Sequence, residues 1–593
     1  MSTASTSSGP SSAPAAIARI IPSIVPAFLP ASDFVPPTLN GADWEALGPL
    51  YTALLERTLH CKNCLQRLLL DRSELDAAAS EAFAILYTGM TCHTDDAAKS
   101  KLYSEFVENV QPELKRIGFE IDKKIVNSPF AKELDQARYA VLLRDLAAGV
   151  ELFRPENVEL QTQESKLEQE YQTLIGAMSV EFDFKVQTLP QMARYQELTD
   201  RAMRESAWRA VAKRRLQDAD AIEALFDKLV ALRQQIAKNA GFESYRDYAF
   251  KARRRFDYAV ADCDAFAKGA EAAIVPATRR LTGERSSSLG LQTARPWDMA
   301  VDVKGRAPLR PFAGGDDLFD RSQKMFNRMD PGLGELFSVL KDGRSLDLDS
   351  RAGKAPGGYQ MNMDRKRVPF IFMNAAGLQR DVETMVHEAG HAFHALLARA
   401  DPLVSYRADI PIEFCEVASM SMELTSHPFL DEFYSPADAT RAKRVHLEGI
   451  ASILCWIATI DQFQHWIYTN IGHSQQQRRE AWTGLMKRLG SGADWSGLDQ
   501  ELGSLWHRQA HLFTSPFYYI EYGIAQLGAI QLYGRYKANP KAALDAYKSA
   551  LTLGGSKPLP DLFAAAGLEF NFSPERITST WAAIEADLAA LPV

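Results

Sequence analysis

Apolar residues along this chain recur mostly at three- and four-residue spacing, the period of helices that bury one face. The pattern runs through 43–72, 73–89, 99–117, 131–152 and 156–178. An alternating run, Val-Glu-Phe-Asp-Phe-Lys-Val over 180–186, predicts a single strand at a sheet edge. Helical periodicity resumes over 189–240. Gly, Pro, Ser and Arg then crowd 280–320 and predict irregular structure. Residues 341–366 are polar and Gly-rich and include Gly357-Gly358-Tyr359. The short apolar run 368–373, followed by Asn374, predicts a strand. After Glu413 the pattern is helical to the end, with turns near Pro428, Ser435, Gly490, Thr514 and Pro558. The predicted class is mainly α with a small β-sheet and no internal repeat.

A chain of 593 residues is long enough for several cores or for one large multi-lobed enzyme. Its formal net charge of −8 gives no support for a nucleic-acid partner. No run of some 18 apolar residues exists; the best candidate, 450–467, is interrupted by Asp461, Gln462, Gln464 and His465. It reads as a core helix, and no membrane partner is expected. Six cysteines form no dense framework, which fits a reducing compartment. The lone Cys61-x-x-Cys64 lies in a Leu-rich helical stretch and reads as ordinary helix residues. The first sixteen residues are rich in Ser, Thr, Ala and Pro and read as disordered. No basic region precedes the Pro-broken apolar stretch 17–29, so the expected location is cytoplasmic. Two basic clusters, 213–215 and 253–255, read as solvated helix faces with acidic partners; attraction of a substrate carboxylate is the alternative.

The stretch 386–394 changes this picture. It contains His387-Glu388-x-x-His391 among good helix formers. Positions four apart on a helix lie one turn apart on one face, so both imidazoles can reach one metal ion. Glu388 projects about 100° around the axis from His387, beside the ion. Two neutral nitrogens and an adjacent carboxylate base are what zinc-assisted hydrolysis needs. A third protein ligand must come from elsewhere. Asp401 and Asp409 lie in a loop, and Glu413, Glu416 and Glu423 lie on one helical stretch. Glu416 sits among Phe414, Cys415, Val417, Ala418 and Met420, where a carboxylate is costly unless a cation compensates it. His394 reads as a packing or surface residue, and His427, in a turn, as unremarkable.

His387-Glu388-x-x-His391, with Glu416 after 24 intervening residues and a Glu-x-x-Glu-x-x-Ser context, resembles the thimet oligopeptidase and oligoendopeptidase F family of zinc peptidases. The segments 369–374, 381–384 and 516–522 also resemble oligoendopeptidase F. The resemblance implies that His387, His391 and Glu416 hold one Zn2+ and that Glu388 takes a proton from the attacking water. It implies that Glu423, or else Glu413, accepts a hydrogen bond from a ligand imidazole. It implies substrate and oxyanion contacts from a histidine and two tyrosines, best matched by His511, Tyr519 and Tyr522, with Tyr518 a rival. By analogy, strand 368–373 is an edge strand that pairs with the substrate backbone, with Gly357, Gly358 and Tyr359 at the rim.

The expected architecture is two helical lobes around a deep channel, with a zincin-type catalytic core. The expected regions are a disordered or extended segment over 1–35, a helical region over 36–200 and a catalytic region over 201–593. The expected function is zinc-dependent endopeptidase action on short unfolded oligopeptides. The alternatives are a dipeptidyl carboxypeptidase on the same scaffold and a non-catalytic helical peptide binder. Oligomeric state stays open.

Overall fold

The structure, a computed structural model, describes residues 33–343 and 345–592. The expected disordered segment lies outside the described residues up to position 32. Among the described residues helices dominate, as the periodicity predicts, with one two-stranded and one three-stranded sheet. The strands are β1 (Ser179–Phe182), β2 (Lys185–Thr188), β3 (Leu346–Asp349), β4 (Tyr359–Met363) and β5 (Val368–Ala375). No helix among the described residues is long and apolar enough to cross a membrane. The chain divides into two compact units, each built from separated segments.

The first unit comprises residues up to Leu143, Phe312–Ile410 and Lys548–Lys557. Its first helices are Trp44–Glu56 and Lys62–Cys92, so the break falls over 57–61 and not at Ser73. The sulfur of Cys61 caps the second helix, accepting from Cys64 N–H. Ser73 does not interrupt it because its hydroxyl donates outward to the Pro402 carbonyl, 2.9 Å away. Within 99–117 the helix passes through a π turn, Phe106–Val110, just before Pro112. Proline lacks an N–H and crowds the preceding turn, which the wider turn relieves. Strand order in the sheet is β3-β5-β4, with β3 parallel and β4 antiparallel to β5. Strand β5 is therefore central, which corrects the expected edge position. Its continuous apolar run is explained by cover on both faces, since all but one of its residues are buried. Helix Gln379–Ala398 packs beside it, and its Phe393 ring meets Phe326 edge-on at 5.0 Å between centroids.

The second unit comprises Arg144–Pro311, Pro411–Tyr547 and Pro558–Val593. The alternating run 180–186 is a hairpin and not one strand. Asp183 and Phe184 take left-handed φ values of 53° and 59° and turn the chain without a glycine. Helix Val275–Ser288 extends into the stretch expected to be irregular. Beyond it, Asp298 is fully buried and accepts from Arg204 (2.9 Å) and Arg201 (2.9 Å), which anchors the irregular chain around Trp297. The interrupted apolar run 450–467 lies within the helix Pro436–Thr469, and Asp461, Gln464 and His465 are buried in it.

Candidate active site

In the first unit, helix Gln379–Ala398 begins where the Asp381 carboxylate accepts from the N–H groups of Ala376 (2.7 Å) and Leu378 (2.9 Å). An acid in the first turn suits the free amides and the positive helix end. Two turns on, the rings of His387 and His391 lie 4.9 Å apart between centroids and nearly perpendicular. Both are half-buried, whereas Glu388 between them is buried. The chain before β4 runs close by. A Cβ on Gly358 would stand 3.3 Å from Thr384 Cγ2 and 3.9 Å from Glu388 Oε1. Asn374 holds that segment by donating to the carbonyls of Ala355 (2.7 Å) and Gly357 (2.8 Å). Gly357 itself has φ of 98°, which favours glycine. The outer strand nearest Glu388 is thus β4 and not β5. His394 is buried and its pKa is pushed down to about 3, first by burial and then by His391. It is a packing residue.

The second unit holds the three glutamates, on helix Ile412–Thr425. Glu416 is buried, and Ser419 donates to its Oε2 at 3.0 Å, holding one carboxylate oxygen in place. Glu413 accepts from the Tyr258 hydroxyl at 2.7 Å. Burial, then Glu521, raises its pKa, and Arg255 opposes them. Glu423 pairs with His446 Nε2 at 2.9 Å, and His446 Nδ1 meets His427 Nε2 at 2.8 Å. His427 is accordingly buried and hydrogen-bonded rather than a bland turn residue.

Also in this unit, the aromatic segment is aimed by a strained turn. Phe517 is fully buried with φ of 62°, a rare conformation for a bulky residue. Arg255 donates to its carbonyl and to Glu521 Oε1 (2.8 Å). Arg253 donates to the Pro516 carbonyl at 2.8 Å and lies 5.2 Å above the Tyr518 ring. Arg254 is exposed as expected and Arg255 has an acidic partner, but Arg255 is buried, which corrects the expected solvated face at that position. The sequence hides this because Glu521 is 266 positions away.

The structure gathers His511, Tyr518, Tyr519 and Tyr522 into one cluster. The His511 ring lies 5.6, 5.0 and 6.0 Å from those three rings in that order. Burial raises the pKa of all three phenols, so they stay protonated donors at neutral pH. Glu416 adds to the rise for Tyr518 and Tyr522, whereas Tyr519 feels Gln509, Arg508 and Trp456. Tyr518 and Tyr522 therefore face the Glu416 side.

Gln509 is a residue that sequence reasoning missed. Trp456 Nε1 donates to Gln509 Oε1 at 2.8 Å. An indole N–H can only donate, so the amide nitrogen of Gln509 faces His511. That nitrogen lies 2.8 Å from His511 Nδ1, which must accept. The proton of His511 is then on Nε2. Burial, then Arg253, lowers the pKa of His511, which keeps the ring neutral. Tyr519 also lines a cleft of about 1140 Å³ inside this unit, with Trp208, Trp456, Trp495, Arg279 and Arg508 on its walls.

Comparisons with known proteins give the family and the fold. A model described as peptidase family M3 matches residues 194–311 and 336–578. A second, described as the peptidase M3 N-terminal domain, matches 34–153. The chain is 26% identical over 310 residues to oligopeptidase PepF of Bacillus subtilis, covering 51% of this chain and 45% of that one. It is 26% identical over 258 residues to an oligoendopeptidase F homolog of Borreliella burgdorferi, covering 41% and 42%. The matched stretches thus span less than half the length of these relatives. The solved structure of PZ peptidase A with an inhibitor is similar over 93% of this chain and 98% of its own, with a TM-score of 0.85 and 28% identity.

Proposed function

Because the chain belongs to peptidase family M3, we propose that it is a zinc-dependent endopeptidase acting on short unfolded oligopeptides. The observation that carries the reading is the pair of imidazoles one turn apart on a helix, flanking a buried Glu388. His387, His391 and Glu416 would hold the ion. Two imidazole nitrogens and one carboxylate oxygen are a donor set that suits zinc and leaves a fourth position free. When bound, zinc supplies Lewis acidity to the scissile carbonyl and acidifies water.

The chain's own residues divide the remaining work. Glu388 takes the proton from the attacking water and returns it to the departing amine. The outer strand β4, approached through Gly357 and Gly358, pairs with the extended main chain of the peptide. That mode reads backbone and suits broad specificity. The hydroxyl of Tyr522 donates to the oxyanion, with Tyr518 beside it. His511 donates from Nε2 to a substrate carbonyl, and Tyr519 borders the cleft that takes peptide side chains. Glu423, seven residues after Glu416 on the same helix, is held by His446.

The test is cleavage of an internally quenched peptide with a blocked C-terminus. Chelation is expected to abolish turnover, and added zinc to restore it. Unchanged turnover after complete metal removal refutes the zinc reading. Cleavage only of peptides with a free C-terminus refutes endopeptidase action.

Two predictions follow from the cluster around His511. Replacing Gln509 with Leu frees the imidazole to change tautomer, and kcat is expected to fall roughly tenfold, about what one lost hydrogen bond removes. Replacing it with Glu, which can only accept when ionised, forces the proton to Nδ1 and is expected to cost more than Leu. The ordering of the two variants, in steady-state kinetics, checks the tautomer. The second concerns pH. The lowered pKa of His511 means it stays neutral to lower pH than an ordinary imidazole. His511→Gln is therefore expected to lower kcat without moving the acid limb of the kcat/KM profile. A limb displaced by that substitution assigns the titration to His511.

A further inference from the structure

We propose that the second unit carries a separate, buried site for one divalent transition metal of borderline softness, ligated by Cys263, Asp461 and His465. Cys263 lies on helix Val260–Gly269, and Asp461 and His465 lie one turn apart on the helix Pro436–Thr469. One ligand atom from each of the three lies within 4.8 Å of the other two. Cys263 and Asp461 are each 1% exposed and His465 is 7% exposed.

What points to a ligand is the unmet demand of these groups. Neither oxygen of Asp461 and neither ring nitrogen of His465 has a hydrogen-bond partner. Asp461 Oδ2 and His465 Nε2 are 3.2 Å apart, yet they do not align as a hydrogen bond. A buried carboxylate and a buried imidazole left this way are costly, and buried polar groups are normally paired. Water would satisfy an oxygen and a nitrogen but has no preference for a sulfur. A cation at the common centre meets all three at once. The Phe250 and Phe517 rings, 6.0 and 5.4 Å from the His465 ring, wall the site with apolar groups. Arg255, the cation felt by Cys263, is already held by Glu521 at 2.8 Å.

The donor set selects the metal. One sulfur, one imidazole nitrogen and one carboxylate oxygen suit zinc, cobalt or iron and do not suit calcium or magnesium, which take oxygen. A thiol binds a metal as the thiolate, so binding displaces a proton from Cys263. The ion would clamp the two helices in the core of the unit and act on stability.

Cobalt separates this site from the one at His387. Only a thiolate ligand gives a near-ultraviolet sulfur-to-cobalt charge-transfer band, and the donor set proposed at His387 has no sulfur. The full-length protein is produced in cobalt medium, and metal per chain is measured by elemental analysis. Two ions per chain and the band are expected in the unaltered protein. His387→Ala combined with His391→Ala is expected to keep one ion and the band. Adding Cys263→Ser to that variant is expected to remove both, with circular dichroism still helical; should Cys263→Ser fail to fold, Asp461→Asn replaces it. One ion and no band in the unaltered protein overturns the proposal. So does a second ion that persists without the band, because it then lies elsewhere. If the double histidine variant keeps the band but also keeps full peptidase activity, the reading of the His387 site fails and this one stands.

Discussion

Glu388→Gln is expected to retain its metal and to lose nearly all peptidase activity. The side chain is buried on the helix between two half-buried imidazoles, and the glycine at 358 leaves it within reach of a backbone lying alongside. Glutamine has the same shape and fills the same space, so the helix and both imidazoles stay in place. It cannot accept a proton. A positioned general base is worth roughly 100- to 10,000-fold, and kcat/KM is expected to fall by that much. Zinc content should be unchanged because His387, His391 and Glu416 are untouched. Two measurements on one sample decide it: elemental analysis and hydrolysis of a quenched peptide. Turnover near the unaltered level in a metal-loaded sample removes Glu388 from the chemistry. A sample that has lost its metal makes Glu388 a ligand.

The helix that carries this residue was legible from sequence because its signal is local. The spacing of His387 and His391 and the apolar stripe around them fix one face, and the structure repeats it. The long helices were legible for the same reason. What failed was whatever depends on pairing between distant segments. Strand β5 looks like any short apolar run, and only the polar, Gly-rich segments that become β3 and β4 make it central. The hairpin at 179–188 reads as one strand because Asp183 and Phe184 turn it with left-handed φ and no glycine. Arg255 reads as a surface cation because its partners Glu521 and Phe517 lie more than 260 positions on. Gln509 carries no motif, and its role exists only between Trp456 and His511. The site residues themselves split the same way. His387, Glu388 and His391 announce themselves by spacing and Glu416 by its apolar neighbours and the family pattern, whereas the distinct partners of Glu413, Glu416 and Glu423, namely Tyr258, Ser419 and His446, exist only in the fold.

That same dependence on partners separates the three tyrosines, and it sets the second large effect. Tyr522→Phe is expected to lower kcat roughly 100- to 1000-fold with KM nearly unchanged, the loss of one donor that acts only on the developing oxyanion. Two observations separate Tyr522 from Tyr519. Glu416 raises its pKa directly, so its hydroxyl lies on the side of the proposed ligand. It stands in the first turn of helix Ile520–Ala538, fixed by the Phe517 turn and by Arg255 on Glu521. The Tyr518 ring lies 5.2 Å from that of Tyr522 and packs beside it. Tyr519, whose surroundings are Gln509, Arg508 and Trp456, borders the cleft instead. Tyr519→Phe is accordingly expected to raise KM several-fold and to leave kcat within about threefold, consistent with loss of uniform binding. The comparison is internal, since both variants remove one hydroxyl from one cluster. If Tyr519→Phe carries the kcat loss and Tyr522→Phe the KM change, the two roles exchange and the oxyanion lies on the cleft side of His511.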